Sequence, residues 1–220
     1  MKTKPGRQFL LSLLACTCLC GAALAQTARR GARPAAAAPT QQGARAVERV
    51  TAPQGWQRYE IHYAGGLALR VVLPSAPEVD SNPIPMGTFP PARQYLFTST
   101  DASGVYIAGY LEGLPPALVA QSGARESFFN GLWKGMAEGM SGELKKQGLP
   151  WEVRPQPPRE LSVGGHRAQV QDFTVGDLSG SARAVLAGTH SYMLLHVSLT
   201  GAINPEGHSF LDSFDLRPKR

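Results

Sequence analysis

The side chains of this sequence that could do chemistry are its serines and carboxylates, three cysteines, and histidines at 62, 166, 190, 196 and 208. A serine nucleophile needs a sharp strand-to-helix elbow of the form Gly-x-Ser-x-Gly, which lifts the hydroxyl clear of the backbone. Gly139-Met140-Ser141-Gly142-Glu143 approaches that form but lacks the last glycine and falls in a helical stretch. No phosphate-binding loop and no His-Glu-x-x-His zinc motif occurs. No catalytic residue, metal ligand set or cofactor is therefore assigned. His190 and His196 share one face of a strand, yet at roughly 3.3 Å per residue they lie ~20 Å apart, too far for one ion. His166 follows a Gly-Gly turn and could approach His190 across strands. A zinc or copper site there is one hypothesis, and ordinary sheet-surface histidines are the reading the pattern favours. Asp172 lies mid-strand, and Asp212 lies in Phe210-Leu211-Asp212-Ser213-Phe214. Either carboxyl could act as an acid, but neither has a second convergent group. For Asp212 a cap or an ion pair with an arginine is expected.

Cys16, Cys18 and Cys20 all fall within residues 1–25. That stretch has a basic start (Lys2, Lys4, Arg7), an apolar run from Phe9, and the small-x-small site Ala23-Leu24-Ala25 before Gln26, the order of a cleaved signal peptide. Its apolar run is shorter than the ~20 residues that span a bilayer core. Export by the Sec route to the periplasm or the exterior follows, with a mature chain free of thiols. Two alternatives would attach it to a membrane. Leu13-Leu14-Ala15-Cys16 resembles a lipobox in which Cys16 is lipidated, or the leader is retained.

The total net charge is +6. Residues 1–25 supply +3, and residues 26–55 supply +4 from five arginines against Glu48, so residues 56–220 carry −1. The positive charge thus sits outside the body of the protein, which argues against nucleic acid as a partner. Residues 26–55, rich in Ala, Pro, Arg and Gln without apolar periodicity, read as a flexible linker.

From Trp56 the pattern changes to strands. Tyr59, Ile61 and Tyr63 alternate with Arg58, Glu60 and His62, and Leu67–Leu73 returns after a Gly-Gly turn. Six prolines in residues 74–91 predict a long, stiff loop. A second hairpin turns at 101–104. A helix is expected over 118–147, its apolar stripe running from Phe128 through Trp133 and Met140 to Leu144, with Gly148 and Pro150 as stop signals. Strands follow at 161–163, 166–175, 182–187 and 191–199. The last is apolar on both faces and so central in the sheet. Asn204-Pro205 opens a short closing helix. The fold class is α+β, an antiparallel β-sheet flanked by helices, in one domain over 56–217.

The expected long helix carries one further feature. Gly131, Gly135, Gly139 and Gly142 run beside Met136 and Met140, and each mid-helix glycine costs about 0.5–1 kcal/mol relative to alanine. Close packing on the sheet or on the closing helix explains such a stripe. The alternative is a contact surface built from Gly131, Gly135, Met136, Gly139 and Met140, with adaptable methionines meeting a partner.

Several segments carry a family likeness: Val72-Leu73-Pro74, Gly164-Gly165-His166-Arg167-Ala168, Arg183 to Gly188, Tyr192 to Val197, and Phe210 to Phe214. In this order, over roughly 56–217, the chain resembles the PsbP/Mog1-like domains of exported bacterial proteins. The resemblance implies an α/β/α sandwich and a largely non-enzymatic accessory role, with an envelope protein or a second copy as partner. Photosystem members of that family bind metal and other subunits. No photosystem-specific motif occurs here, so that role does not transfer. The competing expectation is a small-ligand-binding protein or hydrolase that uses residues 74–91 as a lid.

Overall fold

Strands form wherever the chain alternates between apolar and polar residues or is apolar throughout, and glycines with positive φ turn it. The computed structural model describes residues 45–48, 52–62, 67–86, 88–120 and 123–218, except the side chains of 45–48 and Leu118. The leader, Cys16 and most of the expected linker lie outside the described residues.

The larger sheet has eight strands, all antiparallel: β4 (Glu78–Met86), β5 (Phe89–Thr100), β6 (Gly104–Glu112), β7 (Val153–Pro155), β8 (Arg159–Val163), β9 (His166–Val175), β10 (Leu178–Ala187) and β11 (His190–Ser198). Their spatial order is β4-β5-β6-β11-β10-β9-β7, and β8 also pairs with β9. The smaller sheet runs β1 (Arg45–Glu48), β2 (Gln57–Ile61), β3 (Ala68–Leu73) and β12 (Asp215–Arg217). The helices are α1 (Pro116–Ala120), α2 (Ala124–Lys146) and α3 (Pro205–Asp212). This is an α+β protein with a central antiparallel sheet. β11 lies between β6 and β10, the central position its two apolar faces require.

The large sheet buries both faces. On one, Phe129, Trp133, Met136, Met140 and Leu144 of α2 pack on Leu96, Ile107, Phe173, Met193 and Leu195. On the other, the small sheet and α3 bring Tyr59, Ile61, Val71 and Phe210 against Phe97, Tyr106, Tyr110 and Leu194. One outer layer is thus a helix and the other a sheet with a short helix, where a helix on each face was expected. Trp133 Nε1–H donates to Gln169 Oε1 on β9 (2.9 Å) and pins α2 to the sheet. Arg183 on β10 holds the end of α3, donating to the Leu211 carbonyl (2.8 Å) and to Asp212 (2.7 Å).

Three expected segments differ. Residues 74–91 are not a loop: β4 and the start of β5 form a hairpin within them. Proline lacks the N–H that a central strand needs, but β4 is an edge strand paired only with β5, and Pro85 falls where the register shifts between Ile84 and Met86. Residues 45–48, expected in the linker, form β1, antiparallel to β2. Backbone pairing at a sheet edge needs no apolar period. The single helix expected over 118–147 is two, because Gly123 adopts φ +80 before α2 begins. The far end follows the sequence signals. Gly148 has φ +71, and Leu149 N–H donates to the Leu144 carbonyl (2.9 Å), the helix-ending pattern that glycine favours.

Candidate functional site

Strand register creates a cavity between α2 and the large sheet. Leu96 of β5 and Met193 of β11 both pair with Gly109 of β6, so the middle of that row has no side chain. In the next row Gln94 and Ser191 pair from either side with Leu111. Gly131 of α2 faces this gap, and the two glycines leave a cavity of about 70 Å³. Ile84, Met86, Phe128, Leu132 and Met193 supply most of its wall. Among the described residues no charged side chain lines it.

The cavity floor is polar at two points. Gln94 is 3% exposed and Ser191 4%, both on the face that otherwise carries Ala92, Leu96, Met193 and Leu195. Among the described residues no hydrogen bond engages either side chain. A buried amide or hydroxyl without a partner costs roughly 1–3 kcal/mol. Among the described residues, fully enclosed polar atoms without a partner occur elsewhere, at Thr98 Oγ1, Gln171 Oε1 and His196 Nε2; what distinguishes Gln94 and Ser191 is that both border the cavity. Beside the cavity, at the β4–β5 turn, Phe89 is 41% exposed and is the one exposed large hydrophobic among the described residues. Near the far end of α2, a more open depression of about 250 Å³ at Trp151 mixes Glu138, Lys145 and Glu152 with apolar groups.

A second polar cluster lies on the opposite face. His196 is wholly buried, stacked on Tyr106 with ring centroids 4.8 Å apart. Its Nδ1 lies 3.2 Å from the Val105 carbonyl oxygen and acts as the donor. Its Nε2 has no hydrogen-bond partner among the described residues and lies against Gly207, in the first turn of α3. Burial pushes the imidazole pKa down to about 4, opposed by the Val105 carbonyl and Asp101 and aided by His208. Tyr106 meets Ser103 Oγ at 2.7 Å, and Ser103 Oγ–H donates to Asp101 Oδ1 at 2.7 Å. Asp101 also accepts the backbone N–H groups of Ser103 (2.8 Å) and Gly104 (3.0 Å). That set of bonds caps the β5–β6 turn, and burial raises the Tyr106 pKa.

The residues singled out from the sequence now have places. Met136 and Met140 are core residues, 1% and 2% exposed, and Gly135 is buried with them. The proposed contact surface of Gly131, Gly135, Met136, Gly139 and Met140 therefore faces the sheet; Gly131 reaches the cavity and Gly139 is partly exposed. Gly142, the last glycine of that stripe, has open space at its Cβ position and makes no close approach to the strands. Ser141 accepts the Val153 N–H (3.0 Å), a structural bond. Asp212 forms its ion pair with Arg183, and Asp172 pairs with Arg159 (2.6 Å). His190 stacks on Tyr110 at 5.7 Å, and burial lowers its pKa. Among the described residues no three His, Cys, Asp or Glu side chains gather as metal ligands. His196 is buried, whereas the sequence pattern favoured a surface position. Gln94 and Ser191 were not singled out; the available signal was a polar residue at an inward position of an apolar strand.

No family profile matches the chain, and no curated protein matches it significantly in sequence. Among solved structures it is similar to the solution structure of cyanobacterial PsbP (CyanoP) from Synechocystis sp. PCC 6803. The identity is 9%, 76% of this chain and 95% of that one are covered, and the TM-score is 0.44.

Proposed function

We propose that this chain is an exported, PsbP/Mog1-like accessory domain of the cell envelope that works by binding a partner protein rather than by chemistry. The observation that carries the reading is Phe89, a large apolar side chain exposed on a hairpin tip stiffened by Pro85, Pro90 and Pro91. The prolines restrict the backbone that carries it, so less backbone entropy is lost on docking. The acid and base groups fit the same picture, because Asp101, Asp172 and Asp212 are each engaged in caps or ion pairs. The test is crosslinking in envelope fractions with a photoreactive group at position 88. Wild type gives a discrete crosslinked species that Phe89→Ser abolishes and Lys134→Ser, on the exposed face of α2, leaves intact. Equal crosslinking by all three proteins refutes the reading.

A second reading, small-ligand binding, has its own observation. Two buried, unengaged polar side chains, Gln94 and Ser191, share the floor of one apolar cavity. Ligand sites commonly combine an apolar wall with a few placed polar groups. Residues 84 and 86 of the expected lid do border that cavity, but as part of a strand.

A further inference from the structure

Resting on the ligand-binding reading above, we infer that the cavity under α2 receives a small neutral amphiphile: a short aliphatic or cyclic body with one uncharged hydrogen-bonding head. Size comes from the volume. About 70 Å³, at roughly 10–15 Å³ for each water-sized sphere, holds a group of about five or six heavy atoms. The apolar body follows from the wall, where Met86 and Met193 can adjust to irregular shapes beside Phe128 and Leu132.

Charge complementarity sets the head. With no Lys, Arg, Asp or Glu among the described residues of the lining, a carboxylate or ammonium would lose its hydration and gain no counter-charge. A hydroxyl or amide faces a different balance. The Gln94 amide offers both donors and an acceptor, and the Ser191 hydroxyl offers one donor and acceptor capacity. Both are over nine-tenths buried and flank Leu111 in one row. A head seated there can pair with either group, neither of which has a side-chain hydrogen bond among the described residues. The way in runs past exposed Ser127 and half-buried Gly131 of α2, so the head enters first and the body stays among the methionines.

Three probes of one shape separate the contributions: cyclopentanol, cyclopentane and cyclopentanecarboxylate, titrated into the full chain while the Met86 and Met193 methyl resonances are followed. Cyclopentanol should shift both methyls saturably and bind about fivefold tighter than cyclopentane, the ratio expected for one net neutral hydrogen bond. The carboxylate should bind at least tenfold more weakly than the alcohol. Gln94→Leu and Ser191→Ala should each reduce the alcohol's advantage over the hydrocarbon, and Ser191→Ala alone decides if Gln94→Leu does not fold. Equal binding of alcohol and hydrocarbon would overturn the assignment of the head while leaving the ligand reading intact. Equal or tighter binding of the carboxylate would overturn the neutral class. If none of the probes moves either methyl, this inference and the ligand reading fall together.

Discussion

Acid will loosen this protein through one side chain, His196. In the folded chain the imidazole is 0% exposed, with Nδ1–H directed to the Val105 carbonyl and Nε2 against Gly207. Protonating Nε2 would place a positive charge under the first turn of α3, where unpaired N–H groups already carry partial positive charge. The charged groups that bear on the ring are Asp101 on the β5–β6 turn, which favours the cation, and His208 on α3, which opposes it. Glu206 acts on the neighbouring Tyr106. Burial dominates, and the folded pKa falls from 6.5 to about 4. The unfolded chain therefore binds the proton more readily. Stability from this residue is complete above about pH 6.5 and is lost as pH falls towards 4. The full loss is about 3 kcal/mol, of which about 2 is gone by pH 5. Against a total of roughly 5–15 kcal/mol that is a large share. Urea unfolding midpoints between pH 8 and 4 measure it, with His196→Phe as the reference that keeps a ring on Tyr106 and removes the titration. Wild type will lose about 2 kcal/mol more than the variant between pH 7 and 5. Parallel pH profiles, or an NMR titration of folded His196 centred near 6.5, would refute the reasoning.

Gly207→Ala tests the same contact from the other side. A Cβ there would collide with the His196 ring. Alanine gains up to about 1 kcal/mol of helix propensity while overpacking costs about 1–3 kcal/mol, so chemical denaturation should show a net loss. Met140→Ala should destabilise by about 2–5 kcal/mol, since Met140 is 2% exposed in the core under α2. A change below 1 kcal/mol would return Met140 to the surface. Arg183→Met removes both the Leu211 and Asp212 bonds and should cost about 1–2 kcal/mol, with the ion-pair part diminishing in high salt.

The amino-acid order by itself determined the α+β class, most strands and their turns, the inward stripe of α2 and the Asn204-Pro205 start of α3, where the Asn204 side chain accepts the Gly207 N–H at 2.8 Å. These are local matters, set by a period of two or near four and by residues that tolerate special backbone angles. Only tertiary structure decided the rest. Pro83 and Pro85 look like loop residues until β4 is seen to lie at an edge, where a missing N–H need not break a ladder. The three-residue strands β7 and β12 are too short to show a period and exist because a neighbour supplies their partners. Met136 and Met140 sit on a stripe that the sequence reads first as packing and second as a contact surface, and the sheet occupies that face. The cavity shows the division most plainly. Gln94 and Ser191 are 97 residues apart in sequence, and each is unremarkable within its own strand. They line one cavity because β5 and β11 both pair with β6 in the register that sets them on either side of Leu111. Register between distant strands depends on packing across the whole sheet, so no local window of sequence contains it.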